Sequence, residues 1–412
     1  MTDAGDVAAK GDAPAPYPSA ASEQLQVLGI SPGGCSDRMN RRAFIKRSLA
    51  AGALVAGSSS LLNACGSGVK RNDLQPEGRE FETVPSLGEE ASAILYYASL
   101  APSGHNAQPW VVKVSPQREW VVGGDPKRRL PAVDPQNREL LLSVGAFVEN
   151  LAIAASAMGY EAEVEIIGKN SADEDLVKIS LKKGKPGNYP LKRLAARRTA
   201  KQGFRPDEIT SEDVKALSDP LKGQLFYYPR GSDHAKCIQE AALETFRIQT
   251  YRDEAQKELA EWIRFSNEDA RKYRDGLTTE SMDIRGFAGW YVRNFMGRED
   301  VTKDSFRKQG IDLAAKQVEQ GGGWFIVTSQ GASISDLIET GRKFERMALM
   351  AREKKIGIHP MTQCLEEKQG LEKIASSHSA PVTPQFVLRV GYVDAYSDPV
   401  SLRRPVSWFV KA

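Results

Sequence analysis

Three short segments carry residue types that could do chemistry together. The first is Ala101-Pro102-Ser103-Gly104-His105-Asn106-Ala107-Gln108-Pro109-Trp110. Pro102 and Gly104 make a sharp turn, and Ser103, Asn106 and Gln108 set short polar groups beside backbone amides. Such a turn can hydrogen-bond the heteroatom edge of a flat polar ring while Trp110 packs beneath it. His105 could donate a proton there, although a polar turn residue is its more ordinary role. The second segment is Arg197-Arg198-Thr199-Ala200-Lys201. Its cations and hydroxyl can clasp a phosphate, with arginine giving bidentate contacts. The third is Arg403-Arg404-Pro405 near the C-terminus. Taken singly, each has a plainer reading: a surface turn before a strand, a solvated charge run, a polar chain end.

The elements around these segments mix helices and strands without regular alternation. Residues 89–100 have helical spacing of Ala91, Ile94, Leu95 and Ala98, and 140–158 form a long apolar helix buried on most sides. Strands are expected at 111–114, 120–122, 161–167 and 176–181, and a turn-rich break at 184–190 divides the chain. Beyond it come a basic helix end over 191–204 and an amphipathic helix over 235–265. A polar stretch, 266–309, carries scattered aromatics (Phe287, Trp290, Tyr291, Phe295). Gly321-Gly322-Gly323 leads into a strand at 324–328; a helix at 334–354 and a last strand at 385–393 follow. The pattern predicts an α+β fold.

Composition narrows the function classes. Of 412 residues, 56 are basic and 53 acidic, a net charge of +3, so overall charge gives nucleic-acid binding no support and an anion site must be local. The four cysteines, Cys35, Cys65, Cys237 and Cys364, form no CxxC pair and have no metal-ligand spacing with the histidines, so no metal site is expected. Cys237 and Cys364 read as a disulfide or, more simply, as two buried thiols.

The first eighty or so residues read as an address. Residues 1–38 are rich in Ala, Gly, Pro and Ser, a disordered extension or an upstream mis-start before Met39. Over 39–65 the order is basic, weakly apolar, then small. Arg41-Arg42 with Phe44 and Lys46 resemble a twin-arginine export signal, and Leu62-Asn63-Ala64-Cys65 resembles a bacterial lipobox, which would acylate Cys65. Residues 66–86 are then a polar tether. This address implies the twin-arginine translocase as an export partner and a lipid anchor on the periplasmic side, away from NADH and NADPH. Gly66 after the cysteine is not aspartate, which by analogy favours the outer membrane.

In combination, the blocks between about residues 88 and 408 resemble the nitroreductase superfamily of FMN-binding proteins, in particular its fused-duplicate Acg-type subfamily. The 101–110 loop is similar to an APSxxNxQPW signature, Arg197-Arg198-Thr199-x-Lys201 to an RxSxR phosphate motif, and Leu130-Pro131 through Arg138-Glu139 to a further subfamily block. Trp262-Ile263-Arg264, residues 274–277, 341–351 and 357–360, and the closing strand with Arg403-Arg404-Pro405 also match. The resemblance implies two fused halves, 87–187 and 188–412, forming a pseudo-dimer of mixed or antiparallel sheets flanked by helices, with a lid-like insert at about 266–309. The first half has the loop without the phosphate motif and the second has the motif without the loop, so one complete site is expected, in a monomer carrying one FMN. Arg197, Arg198, Thr199, Lys201, Arg403 and Arg404 would hold the phosphate. Pro102, Ser103 and Asn106 would meet the ring edge, and His359, Pro360 and Met361 would line the ring near its reactive nitrogen. Trp290 and Tyr291 are the lid candidates. No side chain needs to be a catalytic acid, because the flavin carries the hydride. The implied activity is reduction of quinones, nitroaromatics or another small electron acceptor. A flavin-sequestering protein under a closed lid, or a structural lipoprotein without cofactor, are the other readings.

Overall fold

The computed structural model describes residues 67–77, 79–377 and 383–411; the expected export signal and Cys65 lie outside them. The fold is α+β, with two sheets. The first part of the chain gives α1 (Gly88–Ser99), β1 (Trp110–Lys113), β2 (Glu119–Gly124), α2 (Arg138–Ala157), β3 (Tyr160–Ile166) and β4 (Val177–Lys183). These strands pair antiparallel in the order β3-β4-β2-β1.

After α3 (Leu191–Ala196) and α4 (Ser211–Ser218) comes β5 (Leu225–Pro229), then a helical run. That run is α5 (Asp233–Tyr251), α6 (Asp253–Trp262), α7 (Asn267–Tyr273), α8 (Gly286–Phe295), α9 (Arg298–Val301) and α10 (Asp304–Val318). It is followed by β6 (Gly323–Ser329), α11 (Ile334–Glu353), β7 (Ile356–Pro360), α12 (Lys368–Ser377) and β8 (Thr383–Tyr392). The second sheet runs β5-β6-β8-β7, all antiparallel. The chain then returns to the first sheet, where β9 (Val410–Lys411) lies parallel to β1 with Val112 opposite Val410. The C-terminal tail thus straps the second half to the first.

The two long helices cross at glycines. A methyl group on Gly145 of α2 would lie 2.1 Å from the Ile338 carbonyl oxygen of α11, and one on Gly341 would lie 2.1 Å from the Leu142 oxygen of α2. The contact is reciprocal, each glycine meeting the carbonyl three residues before the other, as in an isologous interface. Removing both side chains lets the backbones approach, and buried Glu149 of α2 then receives Arg342 at 3.1 Å and also Arg346. Ser333 and Asp336 cap α11 reciprocally, so its register against α2 is set at its first turn.

Two expectations are revised here. The helix expected over 235–265 breaks at Arg252, whose backbone is extended while its guanidinium donates to the Ala132 carbonyl and to Glu367, at 2.6 and 2.7 Å. The expected tether is packed rather than free where it is described. Val69 is buried, the Arg71 amide donates to the Val400 carbonyl, and the Arg71 guanidinium reaches the Ala195 carbonyl at 2.5 Å.

Candidate functional site

The 101–110 turn is held by its own polar side chains. The Ser103 hydroxyl accepts the Gln108 amide at 2.9 Å. Asn106 donates to the Gly276 and Leu402 carbonyls at 3.1 and 3.2 Å and accepts from Arg403 at 3.0 Å. Gln108, fully buried, donates to the Arg274 carbonyl and accepts the Arg404 amide. His105, Asn106 and Gln108 have φ of +48°, +53° and +52°, a run of left-handed conformations that these bonds must sustain against steric cost. The turn is therefore preset, with its residues clamped to the insert and to the C-terminal tail.

The cationic segment follows α3 and lies along β7, where the Ala200 amide donates to the Ile358 carbonyl at 3.1 Å. Turn and segment meet in one cavity of about 370 Å³, within the roughly 300–1,000 Å³ usual for cofactor sites. Pro102, Ser103, His105 and Asn106 line one part of it, Arg197, Arg198, Thr199, Lys201 and Arg403 another, and His359 and Pro360 a third. Leu142 and Ala146 of α2, Phe344 of α11, Ile358 and Phe386 give it apolar walls. The crossing of α2 and α11 thus forms part of the cavity wall.

Charge in the cavity is unbalanced. Arg197 faces the fully buried Glu345 at 3.3 Å, off the hydrogen-bond line, and Arg198 pairs with Asp283 at 2.5 Å. Among the described residues Arg403 makes no ion pair with a carboxylate. It donates to the Leu100, Ala101 and Leu402 carbonyls, and burial, with Arg197 and Arg71 adding repulsion, pulls its pKa down to about 9. The Lys201 ammonium makes no ion pair or hydrogen bond among the described residues; burial lowers its pKa and the more distant Asp283 opposes that. His105 Nδ1, Arg197 Nε and Arg403 Nε are also buried without hydrogen-bond partners. An anionic group is the chemistry such donors suit.

His359 accepts a hydrogen bond at Nδ1 from Arg389, 3.0 Å away, because a guanidinium can only donate. Its remaining proton is thereby assigned to Nε2. Burial first, then Arg389 and Lys201, holds the ring neutral well below the usual histidine range. Arg389 is itself fully buried, donates to the Lys201 carbonyl at 2.8 Å and stacks over Phe204.

Four of the expected site residues are elsewhere, and Trp110 is turned into the core. Arg404 turns away from the cavity and wraps the turn from behind, donating to the Gln108 and Trp110 carbonyls at 2.6 and 2.9 Å. The Met361 amide is committed to the Val387 carbonyl and its side chain packs in the core with Ile326 and Val387. Trp290 and Tyr291 do not line the cavity; Leu277 and Ser281 are what the 266–309 insert contributes. Trp110 points into the core against Phe147, with ring centroids 5.0 Å apart.

The sequence reading missed an acid pair in the cavity wall. Glu366 accepts from Gln249 at 2.6 Å, and burial, then neighbouring Glu139, pushes its carboxyl well above the usual range. Arg138 pairs with Glu139 at 3.0 Å. Glu139 stands in a block that carries the resemblance, but Glu366 is more than two hundred residues away and no local pattern marks it. A wider groove of 750 Å³, lined by Arg128, Arg264 and Trp262, has its buried cations spent on Asp275 at 2.8 and 2.6 Å.

No family model matches the chain. A Mycobacterium tuberculosis protein named as an NAD(P)H nitroreductase is 36% identical over 76 residues, 18% of this chain and 22% of the relative, so the match spans about a fifth of that protein. PigM of Serratia sp., also named as an NAD(P)H nitroreductase, is 23% identical over 316 residues, covering 71% of this chain and 86% of the relative. Among solved structures, the FMN-dependent nitroreductase NfnB of Mycobacterium smegmatis, in complex with NADPH, aligns with a TM-score of 0.30 at 13% identity, over 49% of this chain and 86% of its own. A nitroreductase-like protein of Bacillus cereus gives 0.32 at 11%, over 55% and 97%. The sequence relatives support the nitroreductase superfamily.

Proposed function

We propose that the protein is an FMN-dependent oxidoreductase of the nitroreductase type, in its fused two-half form, reducing quinones, nitroaromatics or another small acceptor. The observation that carries this is the single cavity that joins the 102–106 turn of the first half to the Arg197–Lys201 cations of the second, with apolar walls between. FMN, when bound, supplies the hydride and electron chemistry.

The chain's own residues bind and position. Lys201, Arg197, Arg198 and Arg403 neutralise the phosphate dianion, with Thr199 as a neutral donor. Leu142, Phe344, Ile358 and Phe386 keep water from the ring. His359 presents a neutral imidazole held in one tautomer by Arg389. Glu366, whose raised pKa favours its protonated form, stands beside Glu139 at the cavity wall, where an acceptor being reduced needs a proton. The sequestering alternative loses ground because the aromatic candidates for a closed lid stand outside the wall. One site per chain makes a monomer sufficient.

We extend the reading to location: export by the twin-arginine translocase, acylation of Cys65 and anchoring on the periplasmic side, with the outer membrane favoured. Separation from cytosolic nicotinamides then makes a quinol or another membrane-side donor the reductant. In stopped flow with the flavin-loaded protein, flavin bleaching is expected to be slow with NADH and NADPH and faster with a soluble quinol. Rapid NADPH oxidation would overturn the donor assignment, and bleaching by no donor would return the protein to a storage role.

A further inference from the structure

The first described residues are fastened to the 266–309 insert. The Gly68 amide donates to Glu280 at 2.6 Å and the Val69 amide to Asn267 at 3.2 Å. Glu280 also pairs with Arg293 of α8 at 3.0 Å. One carboxylate therefore ties the point where the chain enters the fold to that helix.

Helix α8 has two faces. Ala288, Gly289 and Val292 are buried, whereas Phe287 and Phe295 are 57% and 56% exposed. Trp290 and Tyr291 lie between them at the i+3 and i+4 positions, and the four rings touch in series with centroids 5.2–5.3 Å apart. A strip of contacting aromatics with two exposed rings, Phe287 and Phe295, and two half-buried ones, Trp290 and Tyr291, is the kind of surface that marks an interaction site. Its fringe cations are ion-paired: Arg285 reaches Asp283, which it shares with Arg198, Arg298 pairs with Glu261 and Lys303 with Asp300, at 2.6–3.0 Å. Attraction to this strip is thus apolar rather than electrostatic.

Cys65 stands two residues before Ser67 in the sequence, a span of at most about 7 Å of extended chain. An acyl chain on Cys65 would enter a bilayer beside the insert that carries the strip. We propose that the α8 aromatic strip is a membrane-docking surface, with Phe287, Trp290 and Phe295 seated at the boundary between headgroups and acyl chains of a phospholipid bilayer. Aromatic side chains with a polar edge favour that boundary, and an amphipathic helix lies in its plane. The proposal rests on the anchoring of Cys65 proposed above. It deepens the functional reading: Leu277 and Ser281, in the same insert, line the cavity, so docking sets the cavity rim near a store of lipid-dissolved acceptors of the quinone class.

The test uses protein purified from membranes and reconstituted in phosphatidylcholine vesicles with brominated acyl chains. Tryptophan quenching is compared among the native protein, Trp290→Phe, and Phe287→Ser with Phe295→Ser. Native protein should show a bromolipid-quenched component that Trp290→Phe lacks and the double serine variant largely loses, with flavin content unchanged and little response to added salt. Equal quenching in all three overturns the proposal, as does a dimer in solution that buries the strip and that the serine variant abolishes. Acylation is read separately, from the mass of the N-terminal peptide. If Cys65 carries no lipid, the exported soluble protein is mixed with the same vesicles, and Trp290 quenching there keeps the docking surface while removing the anchor.

Discussion

Replacing Arg197 and Arg198 together with alanine should weaken FMN binding by roughly two to four orders of magnitude, taking about 1.5–3 kcal/mol for each charged hydrogen bond lost. The two residues do not fail alike. Arg197 is the ion partner of Glu345, whose carboxylate is fully buried and whose pKa burial already raises, so its removal leaves a buried acid without compensation. Breaking a buried pair costs about 3–5 kcal/mol of stability, and the protein should unfold earlier in denaturant. Arg198 leaves Asp283 to Arg285, which also reaches it at 3.0 Å, so the loss there is smaller. Lys201→Met separates the two effects. Its ammonium has no ion-pair partner among the described residues, so FMN affinity should fall roughly ten- to hundredfold while riboflavin affinity and denaturant midpoint stay near native values. FMN and riboflavin titrations of these variants check this; equal losses for both ligands would place the phosphate elsewhere.

Gly341→Ala should be among the most damaging single-methyl changes in the fold. The added carbon would sit 2.1 Å from the Leu142 carbonyl oxygen and 2.8 Å from its carbon, and neither is a side chain that can swing aside. The helices must part, at a cost near or above the upper end of the roughly 1–3 kcal/mol typical of overpacking. Because Leu142, Ser143 and Ala146 of α2 face Phe344 and Ala348 of α11 across the cavity wall, parting them also loosens the flavin site. Gly145→Ala should behave similarly. The double variant should cost less than the sum, since one methyl already separates the backbones that the second would strike. Denaturant unfolding with flavin content measured in parallel checks both effects; native stability in Gly341→Ala would contradict the close crossing.

What the sequence discloses follows from how local each signal is. Helices 138–157 and 334–353 are long enough for their periodicity to show, and the buried strand β6 reads directly from Trp324-Phe325-Ile326-Val327. The α+β class follows from these. Strand β5 is half-buried and ends in Pro229, β7 is interrupted by Gly357 and Pro360, and β9 is two residues that exist as a strand only because β1 is beside them. The same division holds at the site. The turn and the cations are contiguous in sequence and are legible as residue types. Their counter-charges Asp283 and Glu345 are not, being supplied by distant elements. Arg403 and Arg404 are identical and adjacent, yet one lines the cavity and the other wraps Gln108. Trp110 opens β1, whose buried face decides its direction, and Met361 is claimed by the sheet through Val387.

The central claim is that one dianionic flavin is held between the two halves of this chain. The visible absorption spectrum of the purified protein, with the released cofactor identified and counted, tests it most directly. The account predicts a yellow protein releasing one FMN per chain. A protein that is colourless as isolated, and stays so after addition of FMN, would contradict it.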